Sequence, residues 1–256
     1  MELSTEVKQY IGNVLKIAKT LEIPYIVFDN ECVRGNHQDE GSMIMQREGK
    51  PQFPFTTMGI SRIPVLMSRL GLLGSDVKIE AEERDRNGPS AQQQLDLVTG
   101  ATAPAATRLV FKLLLSKGRT KLDYKCADPA LFDKIPRNLK DPPFFSFRID
   151  AETVKLLQNI KSALDGQIVT LSGGKNGVVF KVSDTDGDQM DHHASNSVIY
   201  TSECDKEHFN FSYKNKILIP LLKDALVDDH VDIVLTRRGF LNLKVLGVNV
   251  YLTTEL

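Results

Sequence analysis

The feature that most constrains this chain is an order of elements that occurs twice. Val7, Ile11, Val14, Ala18 and Leu21 recur at spacings of four, three, four and three, which predicts the apolar face of an amphipathic helix over residues 3–20. Lys8, Lys16 and Lys19, with Gly12 between them, fall on the other side. The extended run Ile23 to Phe28 and the turn residues Asp29, Asn30 and Glu31 follow. Near residue 150 the order restarts: Asp150 caps a helix over 151–164, Gly166 ends it, Ile168 to Leu171 read as a strand and Ser172 to Gly177 as a turn. Glu6-Val7-Lys8 is echoed by Glu152-Thr153-Val154-Lys155, with Val7 and Val154 lying 147 positions apart.

A second pair of helices repeats in the same way. Arg62 to Leu70 carries two arginines seven apart and a proline tolerable near a helix start, and Lys216 to Lys223 carries two lysines seven apart and a proline. Each is followed by period-two alternation, Val77 to Ala81 and Val231 to Leu235, which marks half-buried strands. Phe240 to Val245 and Val248 to Leu252, joined through Leu246-Gly247, predict a closing antiparallel meander. Four prolines between Ala127 and Pro143 mark a connector, and the breaker-rich stretch 84–107 reads as a loop inserted in the first copy. The expected organisation is an N-terminal domain over 1–126, a connector over 127–145 and a C-terminal domain over 146–256.

The tempting catalytic and metal patterns resolve into ordinary structure. Asp184, Asp186, Asp188 and Asp191 with His192 and His193 fail the calcium-loop pattern, because glycine falls between the second and third aspartates and Ser195 stands where a glutamate is needed. A solvated loop between strands is expected there. Ser172 to Gly177 lacks phosphate-loop spacing and leads into the strand Val178 to Val182, so it reads as a hairpin turn. No nucleophile elbow is present, and no enzyme, metal site or cofactor is expected. Cys32, Cys126 and Cys204 are odd in number and widely spaced, which predicts reduced thiols. The N-terminus shows no secretory pattern and no apolar run approaches a membrane span, so a cytoplasmic site and no membrane partner are expected.

Net charge is −1, from 32 basic and 33 acidic residues, yet the charge is sorted by element. Over 3–20, 57–72, 151–164 and 216–226 the cations are Lys8, Lys16, Lys19, Arg62, Arg69, Lys155, Lys161, Lys216 and Lys223, against Glu6, Glu152 and Asp224. The helices therefore carry +6 and everything else −7. Surface helices commonly carry lysine for solubility; four of them in two copies also suit a concave face turned to a polyanion.

At this point the chain resembles the DNA sliding clamps, most closely those of tailed bacteriophages within the wider family of the proliferating-cell nuclear antigen. The resemblance rests on Ile149 to Leu157, Ala163 to Thr170, Phe209 to Lys214, Leu243 to Thr253, Ile60 to Ile79 and the connector start Ala127-Asp128-Pro129. It implies an α+β clamp fold of two similar domains, each with two helices packed on antiparallel sheets, and a homotrimeric ring with the helices lining the hole. It also implies a non-enzymatic processivity factor that encircles double-stranded DNA without sequence preference, tethers the replicative DNA polymerase and is placed by a clamp loader, in the host cytoplasm if viral. The nine helix cations become the channel residues, and Leu131, Phe132, Ile135, Tyr251 and Leu252 become candidates to border a pocket for partner peptides. Two other readings remain open: a monomeric clamp-fold subunit that binds DNA by one basic face, and a β-rich structural or assembly protein.

Overall fold

A computed structural model describes residues 1–85, 108–132, 139, 141–164, 166–174, 177–184, 186–194, 198–201 and 209–255, without the side chains of 161, 162, 174 and 198–201. Residues 175 and 176 of the Ser172–Gly177 turn, Ser195, Cys204 and most of the 84–107 stretch lie outside the described residues.

The first half runs α1 (Thr5–Thr20), β1 (Ile26–Asp29), β2 (Val33–His37), β3 (Ser42–Gln46), β4 (Thr57–Ile60), α2 (Ile63–Leu73), β5 (Lys78–Asp85), β6 (Arg108–Lys117) and β7 (Thr120–Lys125). A short 3₁₀ turn, Pro129–Phe132, precedes the second half: β8 (Pro143–Asp150), α3 (Ala151–Ala163), β9 (Ile168–Gly174), β10 (Gly177–Ser183), β11 (Gln189–Ala194), β12 (Val198–Thr201), β13 (Phe209–Lys214), α4 (Asn215–Asp224), β14 (His230–Thr236), β15 (Leu241–Val245) and β16 (Val248–Leu252). No described helix is long and apolar enough to cross a membrane.

The two halves share their local chemistry. Ser4 caps α1 by accepting the Val7 N–H at 3.3 Å, and Asp150 caps α3 by accepting the Thr153 N–H at 2.8 Å. The strands of the first half lie in the order β3-β2-β1-β4, and those of the second in the order β11-β10-β9-β13. Likewise β5-β6-β7 corresponds to the meander β14-β15-β16. The edge of β5 is covered by residues 1–3, through Leu3 N–H to Ile79 O and Ala81 N–H to Met1 O, much as β8 covers β14. The meander turn fits its residues: Leu246 and Gly247 both adopt positive φ, 48° and 83°, as a two-residue hairpin loop requires.

The halves are joined by an antiparallel pairing of β16 with β3, where Val250 faces Ile44 and Leu252 faces Ser42. This pairing makes one sheet of twelve strands, while β11-β10-β9-β13 stands as a separate sheet of four. All four helices bury their apolar stripes on this framework, with Val14, Leu66, Leu157 and Leu222 each at most 1% exposed. On the same side α1 packs against α2, α3 against α4, and α1 against α4 across the junction.

Three sequence expectations change. Residues 57–60 form β4, because Met58 and Ile60 are buried in register with Phe28 and Ile26; the second helix starts only at Ile63. The expected loop from Asp184 to His193 is a turn followed by β11, in which Asp191, His192 and His193 pair with Lys181, Phe180 and Val179. Asp184 closes that turn by accepting the N–H groups of Asp186 and Asp188, at 3.0 and 2.8 Å. The strand β8 begins at Pro143 and takes the last three residues of the stretch read as connector.

Candidate functional site

Alternation along β3 and β16 builds one site. On β3, Ile44 points into the main core while Met43 and Met45 point outward, forming a small apolar cluster with Cys32, Leu139 and Tyr251. On β16, Val250 and Leu252 are buried in the main core and Tyr251 takes the opposite face. The β2–β3 hairpin, Leu139, Phe240 and the segment after β16 rise around this cluster and enclose a pocket of about 230 Å³. Its floor is apolar, Met43, Leu139, Phe240 and Tyr251; its rim is polar, with Asn36, His37, Gln38 and Thr253. Burial raises the Tyr251 phenol above its usual range and does the same to the Cys32 thiol beneath the floor. Such a site can take apolar side chains from an extended or turning peptide, with hydrogen bonds at the rim.

One close contact fixes the pocket mouth. Gly41 has φ +60° and accepts the Thr253 N–H at 2.7 Å. A Cβ there would lie 2.0 Å from Thr253 Oγ1, so glycine is what lets the hairpin and the segment after β16 meet.

The five residues that the resemblance offered for a partner-peptide pocket do not all lie together. Tyr251 lines the pocket between β3 and β16. Leu252 does not, since a strand sends consecutive side chains to opposite faces and Leu252 is 3% exposed in the main core. Phe132 stacks on Tyr25 with centroids 4.4 Å apart, and Leu131 projects from the 3₁₀ turn at 77% exposure, so neither lines the pocket. Ile135 lies outside the described residues. Sequence reasoning missed Met43, Leu139, His37, Phe240 and Thr253. The Met43-Ile44-Met45 alternation was the available signal, because it implies an apolar second face on a strand whose first face already serves the core.

The basic helix faces form the second candidate site. Lys19 on α1, Lys155 on α3 and Lys223 on α4 are exposed, and no ion pair or hydrogen bond engages their side chains among the described residues. Lys16 is exposed but pairs with Asp224 at 2.9 Å, tying α1 to α4. Lys216 is exposed and pairs with Glu40 at 2.9 Å. Lys8 is half-buried and donates to Val77 O at 3.2 Å. The side chain of Lys161 lies outside the described residues.

Arg62 and Arg69 turn toward β7. Arg62 lies 5.2 Å from the Tyr124 ring centroid and donates to Lys125 O at 3.1 Å, while Arg69 donates to Asp123 O.

No family model and no curated protein sequence matches the chain. Solved structures do. The proliferating cell nuclear antigen of A. fulgidus, in a structure described as holding the C-terminal region of FEN-1, superposes with a TM-score of 0.63 at 14% identity, covering 100% of this chain and 97% of that one. The proliferating cell nuclear antigen of Entamoeba histolytica superposes with a TM-score of 0.57 at 13% identity, covering 100% and 96%. Over its whole length the chain therefore has the α+β fold of the proliferating-cell-nuclear-antigen clamps.

Proposed function

We propose that this protein is a sliding clamp: a homotrimeric ring that encircles duplex DNA and tethers a replicative polymerase through the pocket at Tyr251, placed on DNA by a loader and itself non-enzymatic. One observation carries the reading. Within the chain β16 pairs with β3, but their counterparts in the repeat, β7 and β11, each pair on one side only among the described residues. The joint made once inside the chain is available a second time between chains, and a head-to-tail joint repeated by rotation closes a ring. The domain division follows the same repeat, with an N-terminal domain over 1–126 and a C-terminal domain whose first strand, β8, begins at Pro143.

The helices support the same joint. Counting from the N-caps Lys214 and Arg62, the α4 positions Ile217, Leu221 and Asp224 correspond to Val65, Arg69 and Leu72 of α2. On α4, Ile217 and Leu221 are buried and Asp224 pairs with Lys16 of α1. On α2, Val65 is 39% and Leu72 76% exposed. The counterpart of α1 is α3, so α3 of a second copy is the natural cover for the exposed Val65 and Leu72. Transferring the β16–β3 register places Leu122 opposite the partner subunit's Met190 and Lys121 opposite the partner subunit's Asp191, apolar on apolar and cation on anion. Lys19, Lys155 and Lys223 then supply exchangeable phosphate contacts from the helical side without base readout, which suits sliding. The likeness to tailed-phage clamps supports a phage replicative polymerase as the tethered enzyme and the host cytoplasm as the place.

The test is topological. Lys121→Cys and Asp191→Cys, introduced together and oxidised in the presence of plasmid DNA, should give a complex that survives high salt on circles and is released by a single double-strand cut. Release by salt from circles and linear DNA alike would mean a chain that binds by one basic face, and would overturn the ring.

A further inference from the structure

The turn that forms one wall of the Tyr251 pocket has two faces. Gln38 and Gly41 line the pocket, while the Asp39 carbonyl and the Glu40 carboxylate, between them, meet a cluster of charged side chains. Lys214, the last residue of β13 and the N-cap of α4, donates from its single ammonium to Asp39 O at 3.0 Å and to Glu40 Oε2 at 3.1 Å, and lies 3.7 Å from Glu255 Oε1. Lys216 holds the same Glu40 oxygen at 2.9 Å. Glu255 in turn belongs to the segment that forms the opposite wall: Thr253 lines the pocket, and the Glu255 N–H is fixed to Ser212 O at 2.7 Å. One lysine therefore touches both walls from behind.

The cluster is well placed to transmit position. Glu40 is 16% exposed and Lys214 23%, so their contact is shielded from bulk water and worth more than an open surface pair. The Lys216 hydrogen bond first, and that of Lys214 with it, hold the Glu40 carboxyl below the usual carboxylate range. Behind the clasp, Lys214, Lys216 and Glu255 border a cavity of about 590 Å³ with Gly166, Gln167 and Ile168.

We infer that Lys214 is a positioning residue for the partner pocket: through Glu40, Asp39 O and Glu255 it sets the separation of the Gln38–Gly41 turn from the Thr253–Glu255 segment, and thereby the shape a partner peptide meets. This rests on the Tyr251 pocket being the partner site. The inference reaches past that reading, because it assigns the setting of the pocket to a residue on β13 that contributes no surface to it.

The test reads the walls with and without a peptide. The full-length protein and its Lys214→Met, Lys214→Arg and Glu40→Gln variants are compared by amide hydrogen exchange at Thr253 and Glu255, whose N–H groups are bonded to Gly41 O and Ser212 O. Lys214→Met and Glu40→Gln should raise exchange there about tenfold, Lys214→Arg should stay near wild type, and β14 and β15 should be unchanged in all three. Glu40→Gln leaves β13 intact and keeps the test decisive should Lys214→Met fold poorly. After correction for intrinsic rates, wild-type protection should fall as the pH drops through the lowered Glu40 range, and the Glu40→Gln profile should be flat across it. A purely structural lysine would show neither the arginine rescue nor that pH profile. A peptide selected by display on the wild-type protein, and lost in Tyr251→Ala, should bind Lys214→Met about tenfold more weakly. If no such peptide can be selected, the partner-site reading fails and the inference fails with it. If it binds Lys214→Met and wild type equally, or exchange does not change, the inference falls while the pocket stands.

Discussion

Replacing Gly41 by alanine should unsettle the join between the two halves more than any other single methyl group at the pocket. The backbone there has φ +60°, a conformation that costs an L-residue about 1–2 kcal/mol. The new Cβ would stand 2.0 Å from Thr253 Oγ1 and 3.3 Å from Thr253 Cβ, so the hydroxyl must leave its rotamer, at roughly 1 kcal/mol, or the strands must part. Parting sacrifices the Thr253 N–H to Gly41 O bond at 2.7 Å, worth roughly 1 kcal/mol. The expected total is about 2–3 kcal/mol, a fall of about 4–12 °C in Tm for a chain of this size at fixed protein concentration. Calorimetry of Gly41→Ala, Thr253→Ala and the double variant separates the causes: Thr253→Ala removes the clash but not the φ strain, so the double variant should recover about a third of the loss. A Gly41→Ala protein that melts within a degree of wild type would refute the reasoning, as would a double variant no more stable than Gly41→Ala.

Leu72→Glu should leave the single chain folded, since the side chain is already 76% exposed, but it should weaken each joint of the ring by roughly 2 kcal/mol, about 30-fold per joint, in sedimentation against concentration. Asp29→Asn strips the partner from Arg34, which is 3% exposed and held at 2.5 Å; the denaturation midpoint should fall by an equivalent of about 3–5 kcal/mol, and Arg34→Met in the same background should restore most of it. Asp150→Ala should cost roughly 1 kcal/mol near neutral pH through loss of the α3 cap. The Thr153 N–H holds the Asp150 carboxyl below its ordinary value, so the cap is fully formed above the unfolded chain's value, about 3.9, and is lost as pH falls through the lowered one. The gap between wild type and Asp150→Ala in urea titrations should accordingly be constant above about pH 5 and shrink below it.

The repeat was legible because helix caps and apolar stripes are local: Asp150, the Val7-to-Leu21 face and the Leu246-Gly247 turn each declare themselves within a few residues. The β4 strand was not, because Thr57 to Ile60 is too short to show a period and its identity comes from pairing with β1, thirty residues earlier. The same limit hid the pocket. Its floor brings Met43, Leu139, Phe240 and Tyr251 together only through the β16–β3 pairing, which no local pattern encodes. Charge told more about the helices than about their cations: the sorting of positive charge onto four helices was visible, whereas the capture of Arg62 and Arg69 by β7 carbonyls depends on where a strand edge happens to pass. Leu252 shows the opposite case. The alternation Val248-Asn249-Val250-Tyr251-Leu252 already places Tyr251 and Leu252 on opposite faces of one strand.

If the pairing of β16 with β3 inside the chain recurs as β7 with β11 between chains and closes a ring, the protein in solution is a trimer. Sedimentation equilibrium of the full chain at micromolar concentration tests this most directly. The expected particle is about 86 kDa, three chains of 28.6 kDa, and dissociates when Lys121 is replaced by proline on the β7 edge. A single species of 28.6 kDa across the concentration range, or a larger particle indifferent to that proline, would contradict it.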